Sequence, residues 1–249
     1  MADLTQDEAI HRAGAIDVDS YDVFLDLTAE PPLSRTEVRF RWRRPDASTF
    51  AELRTSGVRS ATLDGVSLPP PLDGRLRLSG PSPGGGDQAV LVVEAEAGYS
   101  HEGRGLSRFT DPADGASYVM ATCYPDCGPE VFCCFDQPDL TATFLLRVRV
   151  PDGWECVANG QLAGREGDVR TFTPVRGMRP YDLTFCAGPF PAAEPIQAGR
   201  TEVTVRHRRS LLGEAAAASL PRFAGYARDA IAWYADNLGV PCPYRSSLR

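Results

Sequence analysis

Along most of this chain apolar and polar positions alternate, which is the period of half-buried strands. Val23, Leu25 and Leu27 share one face of the segment that starts at Tyr21. Val38, Phe40 and Trp42 alternate with Arg39, Arg41 and Arg43, predicting a strand with a solvated arginine face. Short apolar runs follow at 89–93, 144–150, 171–173, 181–186 and 201–205, separated by turns such as Asp64-Gly65 and Asp73-Gly74. Two helices frame the strands. Thr5 and Glu8 have capping-box spacing, predicting a short helix to about Ala13, stopped by Gly14. Phe223, Ala227, Ala230, Ile231, Tyr234 and Leu238 fall at helical spacing, with Pro221 expected in the first turn and Gly239 after the last. The pattern predicts a mostly β fold, saddle-shaped or β-sandwich-like, with a short N-terminal helix and a C-terminal amphipathic helix. Residues 1–210 are expected to form the β domain, and 211–249 the helix and a terminal stub.

Composition removes several classes of function. The 249 residues carry 33 acidic and 26 basic side chains, a formal charge of −7, and every basic residue is arginine. An acidic chain lacks the basic face that releases counterions from phosphates, so no nucleic-acid partner is expected. Without lysine there is no Schiff-base chemistry and no phosphate loop that depends on one. No run of about 18 apolar residues occurs, so no membrane span is expected. The first residues are acidic and lack an apolar stretch, which suggests a cytoplasmic protein with reduced thiols.

Four of the seven cysteines, Cys123, Cys127, Cys133 and Cys134, fall within twelve residues. With His101 they would supply enough ligands for zinc or an iron–sulfur cluster. Their spacing matches neither Cys-x2-Cys pairs nor a zinc knuckle. They are therefore expected to be small buried hydrophobes, with no metal and no cofactor. A reactive thiol at Cys123 or Cys127 would need a depressed pKa from a neighbouring histidine or arginine.

Several segments resemble the amino-terminal domain of the aminopeptidase N family of zinc metallopeptidases, especially its actinobacterial members. They are Ser20-Tyr-Asp-Val-Phe-Leu-Asp-Leu-Thr28, Gly105-Leu-Ser-Arg-Phe-Thr-Asp-Pro-Ala-Asp-Gly115, Ala187-Gly-Pro-Phe190 and Gly239-Val-Pro-Cys-Pro-Tyr244. The most specific is Cys134-Phe-Asp-Gln-Pro-Asp-Leu-Thr-Ala-Thr-Phe144. The resemblance implies a β-rich domain that caps a thermolysin-like catalytic domain. In that domain a His-Glu-x-x-His helix puts two histidines on one face, where they share a zinc ion. This chain has three histidines, and His101-Glu102-Gly-Arg-Gly105 has glycine where the second ligand would stand. Zinc peptidase activity is therefore not expected of it. The resemblance also implies a substrate-holding glutamine at the position of Thr122 and an acidic residue at that of Tyr124. Pro129 and Glu130 replace a pair often filled by arginines.

The altered strip suggests a stand-alone domain repurposed for small-molecule chemistry, such as acid–base cyclisation, isomerisation or hydrolysis in specialised metabolism. In that reading His101, Cys123 and Glu130 are the catalytic candidates, and Thr122, Tyr124 and Glu102 bind substrate. The alternatives are a non-catalytic peptide- or protein-binding module and a truncated aminopeptidase fragment. The expected partners are a small-molecule or peptide ligand, and a homodimer or partner chain held through the C-terminal helix, whose apolar face would otherwise be bare.

Overall fold

The computed structural model describes residues 4–55, 57–81, 86–191, 194–199, 201–211 and 213–241, with backbone alone at 214–218. Helix α1 (Gln6–Ala15) leads straight into β1 (Ile16–Asp26), followed by β2 (Leu33–Trp42), β3 (Ser48–Glu52), β4 (Gly57–Leu63) and β5 (Val66–Ser67). Next come β6 (Arg75–Ser79), β7 (Gln88–Glu96), β8 (Tyr99–Ser100), β9 (Gly105–Thr110) and β10 (Ser117–Thr122). After a long loop follow β11 (Ala142–Arg149), β12 (Glu155–Ala158), β13 (Leu162–Glu166), β14 (Val169–Phe172) and β15 (Val175–Met178). The last elements are β16 (Thr184–Gly188), β17 (Ile196–Ala198), β18 (Thr201–Val203) and α2 (Glu214–Leu238).

These strands form a mostly β domain. A nine-stranded sheet runs β13-β14-β11-β1-β2-β7-β4-β5, with β15 also on β11, and a five-stranded sheet runs β12-β16-β10-β9-β8. Two small ladders, β3-β6 and β17-β18, complete the set. The large sheet is mixed, because β1 pairs parallel with β11, Ser20 opposite Thr143 through Asp26 opposite Arg149. One buried core contains side chains from both large sheets. Tyr21 stacks on Phe144 at 4.4 Å, Phe132 meets both rings edge-on, and Phe40 packs edge-on against Phe135 at 5.3 Å.

Alternation decides the strands as expected. Val38, Phe40 and Trp42 are buried in β2. On its other face Arg39, Arg41 and Arg43 reach Glu37, Asp19 and Asp17 at 2.6, 3.2 and 2.8 Å. Such exposed pairs each contribute about 0–1 kcal/mol, so this face keeps the sheet soluble more than it stabilises it. Asp64 and Gly65 both take positive φ, the signature of the two-residue hairpin turn that joins β4 to β5.

Three local expectations are corrected. Helix α1 continues through Gly14 to Ala15, because Ile16 follows at once in extended geometry and its N–H still bonds Arg12 O. Residues 180–182 form a 3-10 turn ahead of β16 rather than a strand. Pro221 lies inside α2, which begins at Glu214, while Gly239 caps it in the left-handed conformation at φ 68° as expected. No helix among the described residues is long and apolar enough to cross a membrane. The stub at 242–249 lies outside the described residues.

Candidate functional site

The segment Cys134-Phe135-Asp136-Gln137 ties three elements together, α1, β1 and β3. Glu52, at the end of β3, and Cys134 exchange backbone hydrogen bonds of 2.8 and 3.1 Å. The Phe135 N–H donates to the Tyr21 hydroxyl at 3.1 Å, and the Asp136 N–H donates to Glu52 Oε2 at 3.2 Å. Gln137 Nε2 donates to Ala9 O of α1 at 2.9 Å and to Asp139 Oδ1 at 2.8 Å. Arg12 of α1, fully buried, donates to both Glu52 oxygens at 2.5 and 3.0 Å. Its guanidinium also lies 4.4 Å over the Phe50 ring. The aromatic face and the forked pair together offset the desolvation that an isolated buried arginine would suffer.

Asp136 sits beside this pair and is not neutralised by it. Its Oδ1 is buried with no hydrogen-bond partner among the described residues. Burial, and next the charge of Glu52, push its carboxyl up to about 7. A carboxyl that titrates near neutrality can give or take a proton in that range.

The adjoining loop, Thr122 to Glu130, is held from both sides. Thr122 closes β10, half-buried, opposite Gly105 of β9 and Thr184 of β16. The Cys127 N–H returns to Cys123 O at 2.7 Å, and the Arg54 N–H donates to Pro129 O at 2.6 Å. Glu130 accepts from Arg104 Nη2 at 2.7 Å. Asp126 lies between Arg104 and Arg54 at 3.7 and 3.9 Å. Gly105 makes this closeness possible. Its φ is +59°, and a Cβ there would stand 2.9 Å from Glu130 Oε2. At the loop's tip the Tyr124 ring is 69% exposed and meets Tyr181 edge-on at 5.9 Å, with Arg179 at 5.6 Å from the Tyr181 ring.

Over 200 residues, 78% of its length, the sequence is 33% identical to aminopeptidase N of Streptomyces lividans. The chain is aminopeptidase N-like. It spans 23% of that relative's length, and no protein-family model matches it. The segment that carries the family resemblance is thus the packing centre of the aminopeptidase N-like domain, joining α1, β1 and β3.

The sequence-selected residues fall into three environments. Cys123 is 1% exposed, and burial pushes its thiol up, followed by the charges of Asp136, Cys127 and Glu130. That disfavours the thiolate which nucleophilic attack requires. Cys127, Cys133 and Cys134 are also buried with raised thiols, burial being the largest cause in each. Glu130 is near Cys123 but is engaged by Arg104. His101 and Glu102 lie exposed between β8 and β9; among the described residues no side-chain hydrogen bond or ion pair links them to Cys123 or Glu130. Thr122 and Tyr124 share the loop with Cys123 and Glu130, Tyr124 alone being fully open. Among the described residues no group of three or more His, Cys, Asp or Glu side chains is arranged to hold a metal.

None of Asp136, Glu52 and Arg12 is among the site residues that the sequence singles out. Glu52 ends a five-residue strand whose other neighbours look ordinary, so its burial depends on contacts some 40 and 84 residues away. Two surface clefts, of about 690 and 620 Å3, flank β6 and share Arg75, Arg77 and Ser79. None of the sequence candidates lines either.

Proposed function

We propose that the aminopeptidase N-like domain is a binding module that presents the Thr122–Glu130 loop to a peptide or small amine-bearing ligand. The observation that carries this reading is the open Tyr124 ring on a loop held by the Arg54–Asp126–Arg104–Glu130 chain of charges. A large aromatic fixed by its neighbours binds at low entropic cost, and a mixed-charge rim gives orientation. The relative is an aminopeptidase, which supports a peptide with a free amino terminus as the first ligand class to test. Calorimetric titration with a panel of short free-amino peptides tests it. Binding should be present in the parent and weakened about tenfold or more by Tyr124→Ala, with thermal stability unchanged. Absence of binding across the panel, or equal affinity in Tyr124→Ala, overturns it.

A second reading, small-molecule acid–base chemistry, is favoured by Asp136, whose neutral-range carboxyl carries a bare buried oxygen. It replaces the His101–Cys123–Glu130 set with a different general acid or base. Hydrolysis of a small activated ester should break near pH 7 and be lost in Asp136→Asn. A rate unaffected by that substitution removes the reading.

A further inference from the structure

Over residues 219–238 helix α2 packs on the β17-β18 hairpin along one line, and its opposite side is exposed. Ala224 is buried and Ala227, Ile231 and Ala235 are half-buried. On the opposite side Arg222, Tyr226, Asp229, Trp233 and Asp236 recur every four and three residues, all exposed, Tyr226 at 59% and Trp233 at 58%. At about 100° per residue, these five lie within roughly 80° of one another, centred opposite the packed line. To within one residue the stripe is its own mirror in sequence. Arg222 and Asp236 stand seven residues to either side of Asp229, and Tyr226 and Trp233 stand three before and four after it.

We propose that a second copy of this chain covers this face, the two α2 helices running antiparallel about a two-fold axis at Asp229. In that register each Arg222 meets Asp236 of the second copy, and each Tyr226 meets Trp233 of the second copy. A two-fold contact must use one patch that complements itself, and this stripe does so in the order of its charges and rings. A parallel pairing would set Arg222 against Arg222 and Asp236 against Asp236, so charge selects the antiparallel one. The two Asp229 side chains near the axis each have a cation from their own helix beside them, Arg228 Nη2 lying 2.9 Å from Asp229 Oδ1. Gly225 and Ala232 border the stripe on one side and admit close approach of the helices, while Phe223, 61% exposed, extends the apolar surface on the other. Tryptophan and tyrosine are the residue types that carry most binding energy when such a face closes.

Sedimentation equilibrium of the whole chain across micromolar to near-millimolar concentrations tests the pairing. The parent should be a dimer. Arg222→Asp and Asp236→Arg should each weaken it about tenfold or more, because attraction at both ends becomes repulsion. An equimolar mixture of the two variants should restore the dimer, each reversed charge then meeting its opposite. Trp233→Ala should dissociate it while circular dichroism and thermal midpoint stay those of the folded domain. A monomer at every concentration overturns the proposal. A dimer that ignores both charge reversals, or a mixture that fails to restore it, also overturns it.

Discussion

Helix α1 has 10 residues and α2 has 25, yet the shorter helix is the one tied to the rest of the domain by side-chain bonds. Thr5 and Glu8 close a capping box at its start, Arg12 descends into the core to Glu52, and Gln137 bonds Ala9 O. Glu8 also binds Arg75 of β6 at 2.6 Å, the contact that chiefly holds its carboxyl down at about 2. Helix α2 buries Ala224 and exposes Phe223, Tyr226, Trp233, Tyr234 and Leu238. Helical length and apolar content therefore do not decide how a helix is integrated. What decides is whether its side chains find fixed partners in the sheet, and a single buried guanidinium outweighs five exposed hydrophobes.

Arg12→Met leaves Glu52 charged, buried and without its cation, and should cost about 3–5 kcal/mol in urea or thermal unfolding. Adding Glu52→Leu should recover part of that, but not all, because Glu52 also accepts the Asp136 N–H. A single substitution that costs less than about 1 kcal/mol would mean the pair does not anchor α1.

The next effect is one of pH. The folded-state value for Asp136, about 7, lies above the ordinary carboxyl value. Between about 4 and 7 the folded protein then holds a proton that the unfolded chain has lost, so stability falls as pH rises through that window. Asp136→Asn removes the penalty. Its stability should match the parent near pH 4 and exceed it by on the order of 2 kcal/mol at pH 8. Parallel stability curves for the two proteins would show that Asp136 does not titrate there.

A smaller contrast separates the helix ends. Thr5→Ala removes the acceptor for the Glu8 N–H and should cost about 1 kcal/mol. At the other extreme, Tyr234→Ser on α2 lies outside the stripe centred on Asp229 and should change stability by less than about 0.5 kcal/mol. A larger loss at Tyr234 would mean that α2 is integrated as α1 is.

How much of this was legible beforehand differs by element. The strands β1, β2 and β11 and the Asp64-Gly65 turn follow from alternation and turn chemistry, since each depends on neighbours a few residues away. The apolar line of α2 was also visible as helical spacing, but which side of the helix would be buried was not. Phe223, Tyr234 and Leu238 look like a core face in sequence, whereas the structure packs the line Ala224, Ala227, Ile231 and Ala235 toward the small β17-β18 hairpin. Among the candidate site residues, the closeness of Thr122, Cys123, Tyr124 and Glu130 followed from chain position alone. The accessibility of each did not, because Cys123 and Tyr124 are adjacent and still end in opposite environments, one sealed and one open.

Residue order alone sets the period of the strands, the capping of α1, the Gly239 stop of α2 and the segment around Cys134-Phe-Asp-Gln-Pro that marks the aminopeptidase N-like fold. These depend on local steric preference and on apolar patterning, which a chain carries in its order. Only the tertiary structure decided that Arg12, Glu52 and Asp136 converge, that Arg104 engages Glu130, and that α2 shows its aromatic side to solvent. Each of those is a matter of charges and surfaces brought together from distant parts of the chain. Their energies are set by burial and partner geometry, which no local pattern encodes.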